Sequence, residues 1–290
     1  MDQADRPAAV PARRPSPSRQ TADRLAQLGV VSATAEARLL LALVTGRPSG
    51  QVDLVDRLAP AEQARLDDLV AQRGAGVPLQ HLTGWAHFRR ISLRVGPGVF
   101  IPRPETEVMT GWAIERLGRW RAQGLAPRVV ELCAGSGAIS LALADEVPGL
   151  RQWAVERSPQ ALVHLRRNLA ASAIEPVAGD MASALPELDG TIDLVLANPP
   201  YIPDQGRDLP VEVAGFDPPE ALYAGPDGLA ASATVAAVAA RLLRPGGLVA
   251  SEHDDDQGQS VPALFRRQGF QQVTDHLDWT GRARFVTAQR

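Results

Sequence analysis

Val129-Val130-Glu131-Leu132-Cys133-Ala134-Gly135-Ser136-Gly137 is the stretch that decides how this chain folds. Its opening residues read as a buried strand, and the glycines after it let the backbone turn close to a ligand before a helix begins. A glycine-rich turn of this kind occurs in many nucleotide-binding folds and in plain turns, so its weight depends on its surroundings. Downstream, strands expected over 152–155, 176–178, 192–197 and 248–252 alternate with helices expected over 138–147, 159–172, 228–243 and 257–268. Ser158-Pro159 is an N-cap followed by proline at the first helical position, a strong helix start. The alternation implies an α/β architecture with a mostly parallel sheet covered on both faces. A final strand pair, 271–277 and 284–288, adds an antiparallel C-terminal edge.

Upstream of the glycine stretch the pattern changes. A helix is expected over 105–123, preceded over 77–104 by a β-hairpin connector in which Trp85, Phe88, Ile91, Leu93 and Val95 fall among Gly and Pro. Residues 21–76 carry leucines at three- and four-residue steps between breakers and read as a small helical bundle. Residues 1–20, rich in Pro, Ala, Ser and Arg, are expected to form a disordered tail, with no apolar block of the secretory kind. The chain has 290 residues, room for about two domains.

Composition narrows the chemistry. One cysteine, Cys133, excludes an intrachain disulfide framework and cysteine-cluster metal sites, and fits a reducing cytoplasm. No apolar run reaches the roughly 20 residues of a bilayer span, so no membrane segment is expected. The formal net charge is −3, and all 30 basic residues are Arg, which gives no global attraction to nucleic acid. The five histidines are scattered without metal-ligand spacing, and Asp254-Asp255-Asp256 reads as a solvated loop opening a helix, so no metal is expected.

The chemistry-bearing residues gather at strand ends. Glu156 ends the strand after the glycine turn, about 20 residues on, where an acidic side chain accepts hydrogen bonds from ribose hydroxyls in dinucleotide folds. Asp180 and Met181 follow the third strand, where a loop would close over an adenine ring: Asp to accept from its amine, Met to pack on its face. The fourth strand delivers Asn198-Pro199-Pro200-Tyr201. Two successive prolines stiffen the loop and remove two donors, leaving carbonyl acceptors. A primary amide presents two N–H donors and a weakly nucleophilic nitrogen. Asn198 through its side-chain oxygen and Pro199 through its carbonyl can take one hydrogen each, while Tyr201 packs over the amide plane. Turn chemistry alone would also account for each residue type; position at the ligand-binding edge of the sheet favours the site.

The chain resembles the protein-glutamine methyltransferases that modify bacterial peptide chain release factors. Besides Asn198-Pro199-Pro200-Tyr201, the likeness is carried by Gly76-Val77-Pro78-Leu79-Gln80-His81-Leu82-Thr83-Gly84 and by Phe100-Ile101-Pro102-Arg103-Pro104-Glu105-Thr106-Glu107. A fourth block is Phe216-Asp217-Pro218-Pro219-Glu220-Ala221-Leu222 with Gly225-Pro226-Asp227-Gly228-Leu229. The resemblance implies a Rossmann-like class I methyltransferase domain over 105–290 and a helical domain over 21–76 that docks the substrate. It also implies S-adenosylmethionine as donor and, as acceptor, the glutamine of a Gly-Gly-Gln loop in a release factor. By the family pattern Cys133, Ala134, Gly135, Ser136, Gly137 and Glu156 contact the cofactor, with Asp180, Met181 and Asn198 beside it, and Asn198 to Tyr201 contact the glutamine. Arg103 and Glu105 to Glu107 brace the pocket or recognise substrate. Three positions depart from the pattern: Cys133 stands where many members carry Gly, Met181 replaces a frequent aromatic, and His81 a frequent Tyr.

Rival readings are methylation of a ribosomal-protein glutamine, methylation of an exocyclic amine in DNA or RNA, and a cofactor-sensing module that binds translation factors without turnover. A base-modifying enzyme needs stacking aromatics and a basic path for phosphates. Aromatics make up 4% of this chain.

Overall fold

The computed structural model describes residues 15–205 and 208–290, and they divide into two compact units that meet at Thr83 and Gly84. The first unit is helical: α1 (Pro17–Gln27), α2 (Ala33–Thr45), a 3-10 turn over Ser49–Leu54, α3 (Pro60–Gly74) and α4 (Leu79–Thr83). Leu25, Leu40, Leu41, Val52, Leu66 and Val70 form its core.

Two expectations change here. The tail expected through residue 20 ends sooner, because Ser16 caps α1 by accepting the Arg19 N–H at 3.4 Å and Pro17 opens the first turn. Thr21 and Leu25 are then buried. This is the same cap-plus-proline signal read at Ser158; residues 1–14 lie outside those described. The expected connector over 77–104 also splits. Leu79 and Leu82 on α4 pack against the helical core, so this stretch belongs to the first unit.

Arg73 on α3 holds Glu36 on α2 through Nε–Oε2 at 2.5 Å and Nη2–Oε1 at 3.2 Å, with the two side chains 9% and 11% exposed. Removing one partner of a buried pair typically costs about 3–5 kcal/mol, and Arg73 also donates to Val77 O at 3.4 Å, which places this pair at the lower end. Glu36→Ala should therefore lower the unfolding free energy of the helical unit by about 3 kcal/mol in urea titration followed by circular dichroism. A loss under about 1 kcal/mol would show that the other partners of the Arg73 guanidinium, with solvent, satisfy it without Glu36.

The second unit begins with the hairpin β1 (Trp85–Phe88) and β2 (Ile91–Arg94), paired Phe88 to Ile91 and Trp85 to Arg94. The hairpin is part of this unit's core: Ala86, Phe88 and Leu93 pack with Met109, Ile139 and Leu143. The remaining elements are α5 (Thr106–Ala122), β3 (Arg128–Leu132), α6 (Ala138–Glu146), β4 (Arg151–Glu156), α7 (Pro159–Leu169), β5 (Glu175–Ala178) and β6 (Ile192–Ala197). They continue as α8 (Val211–Phe216), α9 (Ala230–Leu242), β7 (Leu243–Glu252), α10 (Ser260–Arg267), β8 (Gln271–Leu277) and β9 (Ala283–Gln289).

The seven-stranded sheet has the order β5-β4-β3-β6-β7-β9-β8. Every neighbouring pair from β5 to β7 is parallel, and β9 pairs antiparallel with both β7 and β8. The C-terminal hairpin supplies the expected antiparallel edge, but β9, the strand that runs against the others, is inserted inside β8. The burial pattern explains the placement: Phe285, Val286, Thr287 and Ala288 are buried in succession, as an interior strand requires, whereas β8 is largely exposed. Val130, Leu132, Val155 and Val195 face α9 and α10 on one side of the sheet. Val129, Leu194 and Leu196 face α5, α6 and the hairpin on the other. The acidic run 254–256, expected as a solvated loop, opens a 3-10 turn over Asp255–Gln257 with Asp254 buried as its cap.

Strand order reverses between β3 and β6, and the crevice outside their carboxyl ends is where an open α/β sheet binds ligands.

Candidate active site at the switch point

A cavity of about 590 Å³ opens at this crevice, within the ordinary range for small-molecule sites. Its wall includes Cys133, Ala134, Gly135, Ser136, Glu156, Asp180 and Met181, together with Asn198, Pro199, Pro200 and Tyr201.

At the end of β3 the chain enters the left-handed region at Cys133 (φ 57°) and again at Gly135 (φ 54°). A Cβ on Gly135 would meet no atom within 4 Å, so the conformation, together with room for a ligand, is what asks for glycine there. Glu156, at the end of β4, accepts the Gly135 N–H at 2.8 Å and the Ser158 N–H at 2.7 Å, one on each carboxylate oxygen. The same side chain thus fixes the glycine loop and the start of α7. Gly137 is the exception among the residues expected on the cofactor. It is not on the cavity wall, and its missing Cβ leaves room for Leu165 Cδ1, which would lie 2.8 Å from one. Its work is close packing of α6 against α7. Cys133 Sγ lies 3.7 Å from Met181 Sδ, and burial pushes the thiol up to about 12, so no thiolate forms near neutrality. Asp180 accepts the Ala182 N–H at 2.8 Å, which shapes the loop carrying Met181.

In the loop after β6, Tyr201 and Ile202 donate their N–H groups to Leu222 O at 3.2 and 2.8 Å, pinning the proline loop to the following segment. Asn198, on the cavity wall, donates through Nδ2 to Thr106 Oγ1 at 3.1 Å, which leaves Oδ1 as its acceptor end. Tyr201 donates its hydroxyl to Glu252 Oε1 at 3.4 Å, and burial raises the phenol's pKa further above its ordinary value. Glu252 is 1% exposed; burial pushes it up to about 7 against the opposing Thr106 hydroxyl, Arg284 and Tyr201. Arg103 forms an ion pair with Asp217, whose side chain is fully buried and whose pKa burial raises.

Thr106, Glu131, Asp217 and Glu252 were not singled out individually from sequence. Glu131 sits inside the deciding stretch, and a lone acid in an otherwise apolar strand was the signal for it. Its Oε2 accepts the Ser140 N–H at 2.9 Å and the Ser140 hydroxyl, and burial pushes the carboxyl from 4.5 up to about 7. The folded chain then keeps a proton that the unfolded chain releases. Glu131 therefore contributes its full stability below about pH 4.5 and loses it as pH rises toward 7. Glu131→Gln should remove on the order of 3 kcal/mol from the fall in unfolding free energy between pH 4.5 and 7.5, read from urea midpoints. Identical pH slopes in the two proteins would contradict the assignment.

Residues 18–84 match the family described as the PrmC N-terminal domain, and residues 114–214 match the methyltransferase small domain. The release factor glutamine methyltransferase of Mycolicibacterium smegmatis is 47% identical over 272 residues, covering 92% of this chain and 94% of its own. This chain belongs to the release factor glutamine methyltransferase family. A relative with a differently named activity is the 4-amino-L-phenylalanine/4-methylamino-L-phenylalanine methyltransferase of Streptomyces pristinaespiralis, 42% identical over 239 residues and 82% of this chain, 81% of its own. In fold alone, the chain is similar to the T. Thermophilus 16S rRNA N2 G1207 methyltransferase, solved with AdoMet and guanosine. That similarity has TM-score 0.50 at 24% identity and covers 71% of this chain and 49% of the other. Like other members of the methyltransferase class, this release factor glutamine methyltransferase family member has a class I fold, here a mostly parallel seven-stranded sheet. Among the described residues no helix is long and apolar enough to cross a membrane.

Proposed function

We propose that the protein transfers a methyl group from S-adenosylmethionine to the side-chain amide nitrogen of a glutamine in peptide chain release factors, the glutamine of a Gly-Gly-Gln loop. The observation that carries this reading is the Asn198 amide. Its N–H end is engaged by Thr106, and the residue lines a cavity that the glycine loop lines as well.

The residues present suit S-adenosylmethionine. The backbone at Gly135 leaves open space, and Glu156 offers lone pairs to a ribose diol while anchored by two backbone amides. Asp180 and Met181 line the same wall, where an adenine would find an acceptor and a polarizable face. The bound cofactor supplies an electrophilic methyl on sulfonium. Asn198 Oδ1 and the Pro199 carbonyl take the two amide hydrogens and aim the nitrogen across the cavity. As that nitrogen alkylates its hydrogens become more acidic, so these acceptors bind the transition state more tightly than the ground state. By analogy with oxyanion-hole donors, each is worth roughly 3–4 kcal/mol. The extra proton then leaves to solvent, with no strong base required.

The test is radiolabelled methyl transfer offered in parallel to purified release factors, ribosomal proteins, tRNA, DNA and free 4-amino-L-phenylalanine. Label on a release-factor glutamine supports the proposal; label only on another acceptor replaces it. The helical unit, in this reading, docks the protein substrate. Deleting residues 21–76 should then weaken transfer to an intact release factor more than to a short Gly-Gly-Gln peptide, since remote contacts contribute only where they exist. Equal losses on both would count against docking.

A further inference from the structure

The glycine loop is held by more than Glu156. The 134–135 peptide is fixed at both polar ends: Glu156 accepts its N–H, on Gly135, and its carbonyl accepts the Gly137 N–H at 2.8 Å. That second N–H belongs to the 136–137 peptide, whose own carbonyl, on Ser136, accepts from Asn168 Nδ2 at 2.9 Å. Ser136 lines the cavity and Asn168, on α7, does not.

The rest of the Asn168 amide is spent on the last residue of β2. Its Oδ1 accepts the Arg94 N–H at 2.9 Å, and Nδ2 also donates to the Arg94 carbonyl at 2.9 Å. An acceptor for N–H and a donor for C=O is what a paired strand would offer, so a helix side chain closes the end of the hairpin. Turned over, the amide would set NH₂ against an N–H and its oxygen against two carbonyls, so the partners themselves fix which way it faces.

This bond is one of three meetings between α7 and the chain that follows the hairpin. Gln160, His164 and Asn168 recur at four-residue steps and so share a helix face. Gly98, Gly96 and Arg94 meet them in that order: a Cβ on Gly98 would stand 2.8 Å from the Gln160 Cβ, and one on Gly96 3.2 Å from His164 Cε1. Two of the meetings are close packing over glycine, and the third carries directional bonds. Gly98, Phe100 and Arg103, reached next along the chain, line the cavity together with Ser136.

We propose that Asn168 is a positioning residue for the cofactor site: it holds the Ser136 carbonyl and the Arg94 backbone in one fixed relation, so that the glycine loop has its binding shape before S-adenosylmethionine arrives. This rests on the cofactor named under the proposed function and adds to it the residue that pre-forms its loop. Pre-forming acts on affinity, because a loop that is competent for only part of the time raises the apparent Kd by the inverse of that fraction.

Asn168→Asp keeps the size and the acceptor for the Arg94 N–H but turns oxygen on both carbonyls. Calorimetry should show the Kd for S-adenosylhomocysteine raised about 20-fold, as for a loop competent about 5% of the time, and the KM for S-adenosylmethionine raised with it. With a release factor as acceptor, kcat at saturating cofactor should stay within about threefold, since the loop of Asn198 is untouched. Asn168→Ala, which removes the bonds without adding a charge, should raise the same Kd about tenfold. Val261→Ala, buried on α10 and away from the cavity wall, controls for lost stability: its melting temperature should fall with the Kd within about threefold. A Kd changed less than about fivefold in Asn168→Ala, a loss confined to kcat, or a rise in Val261→Ala as large as in the Asn168 variants overturns the proposal, and Asn168→Ala decides alone if Asn168→Asp does not fold. Absence of S-adenosylhomocysteine binding by the wild-type protein would instead overturn the cofactor reading, and this positioning role with it.

Discussion

Asn198→Ala should reduce methyl transfer to a release factor at least about 1,000-fold while leaving S-adenosylhomocysteine affinity within about threefold. The asymmetry follows from where Asn198 sits. It lines the cavity, and its nitrogen end is engaged by Thr106. The glycine loop and Glu156 line the same cavity and owe none of their hydrogen bonds to it. Losing one positioned partner of a developing charge typically costs 10²–10³ in kcat, and here the same residue also aims the nitrogen, which adds to the loss. The measurement pairs single-turnover transfer of labelled methyl with calorimetry of S-adenosylhomocysteine binding. If turnover persists within tenfold, the reacting amide is held elsewhere. If cofactor affinity collapses along with turnover, Asn198 belongs to the cofactor wall.

How much of this was legible in sequence depended on whether the constraint was local. Strand β6 falls on the residues expected of it, 192–197, and β3 takes in the opening of the glycine stretch, because a strand buried on both faces must be apolar along its length. The proline loop and the glycine turn were visible for a related reason, since φ restrictions belong to the residue itself. Thr106 and Glu252 escaped individual notice because their roles are made by distant partners, Asn198 lying 92 positions from Thr106 and Glu252 51 from Tyr201. No periodicity marks such a pair. Gly137 shows a different limit. Its residue type suggested ligand contact, but only the packed α7 leucines reveal that the space it leaves is filled by protein. The hairpin was read as a connector for want of the same information: alternation identified the strands, and nothing in them announced that Phe88 and Leu93 join the core of the larger unit.

Gly228→Ala should be the most damaging single methyl group that can be added near the site. Gly228 lies outside both cofactor and acceptor motifs, at φ 71°, and a Cβ there would stand 2.3 Å from the Tyr201 carbonyl oxygen and 2.9 Å from Gln257 Nε2. The left-handed conformation alone costs an alanine roughly 1–2 kcal/mol. The collision adds more, because the obstructing atom is backbone. Gln257 Nε2 already donates to that carbonyl at 3.0 Å and to Gly228 O at 3.3 Å, so the loop after Asn198 is clamped and cannot retreat without breaking these bonds. Two effects are expected together: a loss of about 3 kcal/mol or more in unfolding free energy, and a fall in kcat of about 100-fold, the usual cost of misplacing a reacting group by about 1 Å. Gly124→Ala supplies the control, since φ there is 81° but no atom lies within 4 Å of a Cβ. It carries the conformational cost without the collision and should lose about 1 kcal/mol with kcat unaltered. Equal behaviour of the two variants in melting and in turnover would mean that the clamp around Tyr201 yields freely, and that the stiffness of the acceptor loop resides in Pro199 and Pro200 alone.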